Sequence, residues 1–148
     1  MSKLVVISCG SKKIWDKNPN AGPTPARDVY ISGYVTILKS YPQRFGIEWV
    51  ILSAKFGFID PNFIIREPYN VTFKDADAIK DEQLRQQVEE RRLDEYEEII
   101  VLGGKEYANK VRMAFAGTNC LVRTPLEGLS IGKIMKKVKD AVTSGNEL

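Results

Sequence analysis

Three features of the sequence predict an α/β fold. Short apolar runs alternate with amphipathic stretches of helical period, each run ends in a small-residue turn, and no cysteine framework or long apolar span suggests another class. Strands alternating with helices argue for right-handed crossovers. The expected architecture is a three-layer sandwich around a mostly parallel sheet of four or five strands, Rossmann-like in general plan.

The first predicted strand, Val5-Val6-Ile7-Ser8, runs into Cys9-Gly10-Ser11-Lys12-Lys13. Residues 14–25, rich in Asn, Gly and Pro, read as a loop long enough to be functional. From Arg27, the residues Tyr30, Tyr34, Ile37, Leu38 and Tyr41 recur at helical spacing until Pro42 and Gly46 close the element. The second strand, 48–52, leads into Ser53-Ala54-Lys55-Phe56-Gly57, and Pro61, Pro68 and Asn70 make 57–73 mainly a long loop. Residues 75–95 predict a largely solvated helix with few apolar anchors, chiefly Ile79, Leu84, Val88 and Leu93. The third strand, 99–102, meets Gly103-Gly104-Lys105, and a helix bearing Tyr107, Val111, Ala114 and Phe115 follows. A fourth apolar run, 120–123, precedes a glycine-punctuated turn and a last helix carrying Ile131, Ile134, Met135, Val138 and Val142. The tail, 144–148, is expected to fray.

With 148 residues, 43% of them hydrophobic, one domain spanning 1–148 is expected. The two cysteines, Cys9 and Cys120, lack metal-ligand spacing, and the chain has no histidine. Serine–histidine triads and histidine-ligated zinc are thereby excluded; no metal and no cofactor is expected. A reducing, cytoplasmic setting is the default, and the first apolar run is too short for a signal segment or a membrane span. The net charge of +3 conceals an asymmetry, because residues 74–98 hold ten acids against five bases. The basic remainder suits a nucleotide or nucleic-acid partner, although proteins that bind neither often share it.

In an open parallel sheet the carboxyl ends of the strands share one edge, where ligands bind. Three lysine-bearing turns at that edge predict an anionic guest, and phosphate fits best. Ser8, Gly10 and Ser11 offer hydroxyls and backbone N–H groups, with Lys12 as counter-charge. Neither a Walker A motif nor GxGxxG is present, and an ordinary tight turn with solvated lysines accounts for the same residues. Gly103, Gly104 and Lys105 extend the edge. Cys9, beside these cations, is a candidate nucleophile, or else a small buried hydrophobe without a base partner. Lys55 is the second catalytic candidate; with Phe56 and Phe58 it could sandwich a base, or the rings could be core plugs. Acid–base work would fall to Asp60, Glu67, Glu106, a lysine or a tyrosine.

Residues 7–13, 26–32, 52–57, 67–69 and 125–132 together resemble a family of uncharacterised prokaryotic and phage domains. The resemblance singles out Cys9, Lys12, Arg27, Tyr30, Ser32, Ser53, Lys55, Gly57, Pro68 and Tyr69 as signature positions without assigned roles. The first segment is also similar to the core of archaeosine synthase, a tRNA base-modifying enzyme, with Ser8 in place of a proline and Gly33-Tyr34 where Ser-His is expected. That relationship implies a uracil-DNA-glycosylase-like sandwich; the glycosylase catalytic motifs have no match, and uracil excision is not expected. Two readings follow. One is an enzyme modifying a nucleobase, nucleotide or nucleic acid, with Lys12, Lys55 and Arg27 on phosphate and Tyr30 or Phe56 on the base. The other is a non-catalytic module binding the same ligands.

Overall fold

A computed structural model describes residues 2–148. In chain order the elements are β1 (Lys3–Ser8), α1 (Ile14–Lys17), β2 (Thr24–Pro25), α2 (Ala26–Val29), α3 (Gly33–Phe45), β3 (Glu48–Ser53), β4 (Gly57–Ile59) and β5 (Ile64–Ile65). There follow α4 (Asp81–Glu90), a short 3-10 turn (Leu93–Glu95), β6 (Glu98–Leu102), α5 (Lys105–Ala114), β7 (Leu121–Arg123) and α6 (Ile131–Ser144).

The main sheet has five strands in the order β4-β3-β1-β6-β7, all parallel except β4, which is antiparallel to β3. Central β1 reads as a continuous apolar run because both its faces are covered, and Leu4, Val5, Val6 and Ile7 are all buried. Alternation sorts its side chains between two cores. Val5 and Ile7 join Val35, Leu38, Ile134 and Val138 of α3 and α6 on one face; Leu4 and Val6 join Leu84, Val88, Val111 and Phe115 on the other. The result is the three-layer sandwich that the sequence predicts.

Four local expectations are corrected. The stretch 14–25 is not all loop: Asp16 accepts a 2.8 Å hydrogen bond from the Lys13 amide and starts the short α1. The helix expected from Arg27 is broken at Tyr30-Ile31-Ser32, because Ser32 caps a new helix by accepting from the Val35 amide. Pro42 does not end α3. The helix runs to Phe45 and stops where Gly46 adopts φ +64°, with its amide on the Pro42 carbonyl. Finally, the expected helix over 75–95 is confined to Asp81–Glu90; the stretch 57–73 is mainly loop as expected, interrupted by the short β4 and by β5, which pairs with β2.

The outer edge of β4 is closed by side chains from α4 and the residue that follows it. Gln87 accepts from the Phe58 amide and donates to the Phe56 carbonyl, and Arg91 donates to the Phe58 carbonyl. Such capping also fixes the turn between β3 and β4. Gly57 has φ +77°, and a Cβ there would stand 2.2 Å from the Gln87 Oε1. Among the described residues no helix is long and apolar enough to cross a membrane.

Candidate functional site

Strand order locates the crevice. From β1 the chain passes to β3 on one side, then crosses back to β6 on the other, so the connections diverge between the carboxyl ends of β1 and β6. These two ends approach closely because Gly103 has no side chain: a Cβ there would lie 3.1 Å from the Ser8 Cβ and 3.4 Å from the Tyr107 Cβ. Gly104 then caps α5, and Tyr107 in its first turn swings back over β1. The Tyr107 hydroxyl reaches 3.4 Å from the Cys9 Sγ.

A cavity of about 290 Å³ opens at this point, its inner wall formed by Cys9, Gly10, Ser11, Lys13 and Tyr107. The segment Tyr69–Lys74 and Glu106 close its other side. The Phe73 ring meets the Tyr107 ring edge-on at 5.6 Å between centroids.

Lys13, rather than Lys12, supplies the cation at this wall. Lys13 bridges Tyr30 in antiparallel fashion and has extended backbone, so successive side chains point to opposite sides. Its stem is buried, at 5% exposure for the whole residue. The ammonium lies 4.5 Å from the Tyr69 ring centroid and donates to the Ser11 carbonyl at 3.2 Å. Burial holds its pKa below the usual lysine value, with negative charge on Cys9 and Asp16 acting in the opposite sense. Lys12 projects into solvent, and its carbonyl accepts from the Ile31 amide at 3.2 Å.

From Tyr69 in the cavity lining runs a polar chain. The Tyr30 and Tyr69 hydroxyls are hydrogen-bonded to each other, and Tyr69 lies 3.0 Å from the Ser53 Oγ. Ser53 in turn accepts from the amides of Lys55 and Phe56, each at 3.2 Å, so it ties the β3–β4 turn to the tyrosines. Burial raises the pKa of Tyr30, Tyr69 and Tyr107, chiefly through desolvation. All three therefore remain protonated and act as hydroxyl donors at neutral pH. Ser8 is 2% exposed and its Oγ has no hydrogen-bond partner among the described residues. The Tyr34 hydroxyl, itself raised by burial, feels Ser8 without meeting it in hydrogen-bond geometry.

Of the residues singled out from the sequence, the fold brings Ser8, Cys9, Gly10, Ser11, Tyr30, Ser53, Tyr69 and Gly103 to this edge. Lys55 and Phe56 lie alongside, lining a second cavity with Phe63, Ile64, Arg66 and Glu67. Arg27 points elsewhere: it binds Asn62, and both line a third cavity by Asp60 and Trp49. Lys105 and Pro68 are exposed; Ser32 and Gly104 are helix caps, and Gly57 serves the β3–β4 turn. Gly10 packs on the capped end of α3, where a Cβ would meet the Val35 Cγ2 at 3.2 Å.

Sequence reasoning named Lys13 only as a cation near Cys9, giving the anion to Lys12, and missed Phe73 and Tyr107 as site residues. Tyr107 has the helical spacing of a core residue, and only its position in the first turn after a diglycine points to the strand edge.

A model for a family of unknown function (DUF6884) matches residues 4–140. The uncharacterized protein YfjM of Bacillus subtilis (strain 168) is 38% identical over 151 residues, covering 100% of both chains. No solved structure matches.

Proposed function

Since the chain belongs to the DUF6884 family of unknown function, its activity must be argued from its own residues, and we propose that the Cys9 cavity binds a nucleobase-bearing anion on which Cys9 acts. The observation that carries this reading is the convergence of a thiol, a neutral phenol and a lysine ammonium on one wall at the sheet's switch point. A volume of about 290 Å³ is at the small end for ligand sites and suits a base with its sugar better than a dinucleotide. Phe73, Tyr107 and Tyr69 offer aromatic surface to a base, while Asn70, Thr72 and Glu106 offer polar groups to its edge. Lys13 and Lys74 carry the charge that an attached phosphate requires.

The chemistry available to Cys9 is nucleophilic addition. The thiol loses its proton to solvent beside the Lys13 ammonium, and the sulfur then bonds an electrophilic ring carbon. The displaced π pair moves onto a ring heteroatom, where the Tyr107 hydroxyl can stabilise it by hydrogen bonding. A non-catalytic binding role is favoured by one specific fact: the hydrogen-bonding side chain beside Cys9 is a phenol that burial keeps protonated, and it is no proton acceptor.

Alkylation of Cys9 by iodoacetamide, mapped by mass spectrometry to separate it from Cys120, tests the reading. Nucleosides or mononucleotides are expected to protect Cys9, and Lys13→Ala is expected to weaken protection by the phosphorylated ones. No protection by any base, nucleoside or nucleotide would overturn it. A Cys9 adduct or ligand turnover that Cys9→Ser abolishes would select the enzyme over the binding module.

A further inference from the structure

The second cavity, about 440 Å³ and lined by Lys55, Phe56, Phe63, Ile64, Arg66 and Glu67, has no part in the chemistry at Cys9. Two of its apolar side chains are open to solvent: Phe63 is 42% exposed and Ile64 39%, while Phe56 is half-buried behind them. Phe56 stands between two other rings, 5.4 Å from Phe63 and 5.3 Å from Tyr69. Because Tyr69 also lines the Cys9 cavity, a row of three aromatic rings leads from the open surface to the candidate reaction site. A cation accompanies the row: the Lys55 ammonium lies 5.3 Å from the Phe56 centroid and 5.5 Å from that of Tyr69. Arg66 adds a second charge at the rim, against the single carboxylate of Glu67.

One exposed ring, Phe63, backed by the part-buried rings of Phe56 and Tyr69 and flanked by cations, matches what successive bases and their phosphates require. An apolar protein partner would gain nothing from ammonium groups seated over those rings. Bases inside a duplex are stacked on one another and present no free face, so the platform suits an unpaired strand. Resting on the reading of the Cys9 cavity given above, we propose that the substrate is a single-stranded nucleic acid. One nucleotide enters the Cys9 cavity while a neighbouring base stacks on the Phe56–Phe63 platform.

Fluorescence anisotropy with labelled oligothymidylate, oligouridylate and a matched duplex tests this, alongside Cys9 protection by a mononucleotide. Either single strand is expected to bind more tightly than the duplex, with affinity falling as salt rises. Phe63→Ala and Phe63→Leu, both at an exposed position and the latter keeping apolar bulk, are expected to weaken binding about tenfold. Mononucleotide protection of Cys9 should be unchanged in both variants. Combined Lys55→Ala and Arg66→Ala substitution should flatten the salt dependence. Duplex binding as tight as single-strand binding, or unchanged affinity in both Phe63 variants, would overturn the proposal. So would mononucleotide protection of Cys9 without any oligomer binding, an outcome that leaves the reading of the cavity standing. Absence of protection by mononucleotide and oligomer alike would sink both.

Discussion

Cys9 Sγ lies 3.4 Å from the Tyr107 hydroxyl across a sequence separation of 98 residues. Parallel pairing brings them together: β1 and β6 run in register with Ile7 opposite Leu102, Cys9 directly follows β1, and Tyr107 lies in the first turn of the helix after β6. Gly103 then lets the first turn of α5 fold back onto β1. The Tyr107 proton is held by burial first, and then by negative charge on Cys9. The Tyr107 hydroxyl thus stands within reach of both the Cys9 sulfur and the Cys9 carbonyl, 3.5 Å away, and can donate to either.

Replacing Tyr107 by Phe removes that donor and keeps the ring against Phe73. A hydrogen bond to a charged acceptor contributes about 1.5–3 kcal/mol, so alkylation of Cys9 at neutral pH should slow about tenfold or more. Rates measured with iodoacetamide on the two proteins decide this. An equal or faster rate in the variant would show that the hydroxyl does not support the thiolate.

Lys13 is retained against its own burial. A lysine whose folded pKa lies below 10.5 binds fewer protons folded than unfolded in the window under that value, so stability rises with pH there. Lys13→Met, which keeps the stem and removes the charge, should raise stability at neutral pH by about 1 kcal/mol. Its advantage over the parent should shrink as pH approaches 10.5. Urea denaturation across that range checks both points, and a destabilised variant at pH 7 would contradict them. The same variant should lose nucleotide protection of Cys9.

Much of the sheet was legible because β1 and β6 are uninterrupted apolar runs, and their glycine-rich turns mark the binding edge whatever the helices do. Lys13 was not legible in preference to Lys12: the two adjoin, and only the Lys13–Tyr30 bridge decides which one turns inward. Arg27 shows the converse. It reads like a phosphate ligand in a signature segment, but the start of the short α2 is tied by the Ala26 and Arg27 amides to the Phe63 and Pro61 carbonyls, and there Arg27 meets Asn62. Tyr30 has helical spacing from Tyr34, yet it occupies that break and bonds Tyr69, a contact between residues 39 apart that local periodicity does not encode.

Ser53 joins the turn to the site, and its removal should be felt in both. It is fully buried and accepts from two backbone amides while meeting the Tyr69 hydroxyl. Ser53→Ala strands these groups and should destabilise the fold by about 1–3 kcal/mol. Tyr30→Phe should weaken the same network, and the double variant should lose less than the sum of the two. Strict additivity in denaturation experiments would mean that Tyr30 and Ser53 do not act through Tyr69.

All six tyrosines have pKa values raised above 10.0 by desolvation. Tyr96, also facing the Glu48 carboxylate, is pushed up to about 12. The unfolded chain loses phenolic protons near pH 10 while the folded chain keeps them, so the folded state binds more protons above that point. Stability present below pH 10 should therefore fall as pH rises through the alkaline range. Titration followed by tyrosinate absorbance should show little ionisation at pH 10, then a steep rise coinciding with loss of circular dichroism. The steepness arises because Tyr30, Tyr69 and Tyr107 are released together when the chain opens. A gradual ionisation of all six near pH 10 with the fold intact would contradict the buried hydroxyl network on which the site rests.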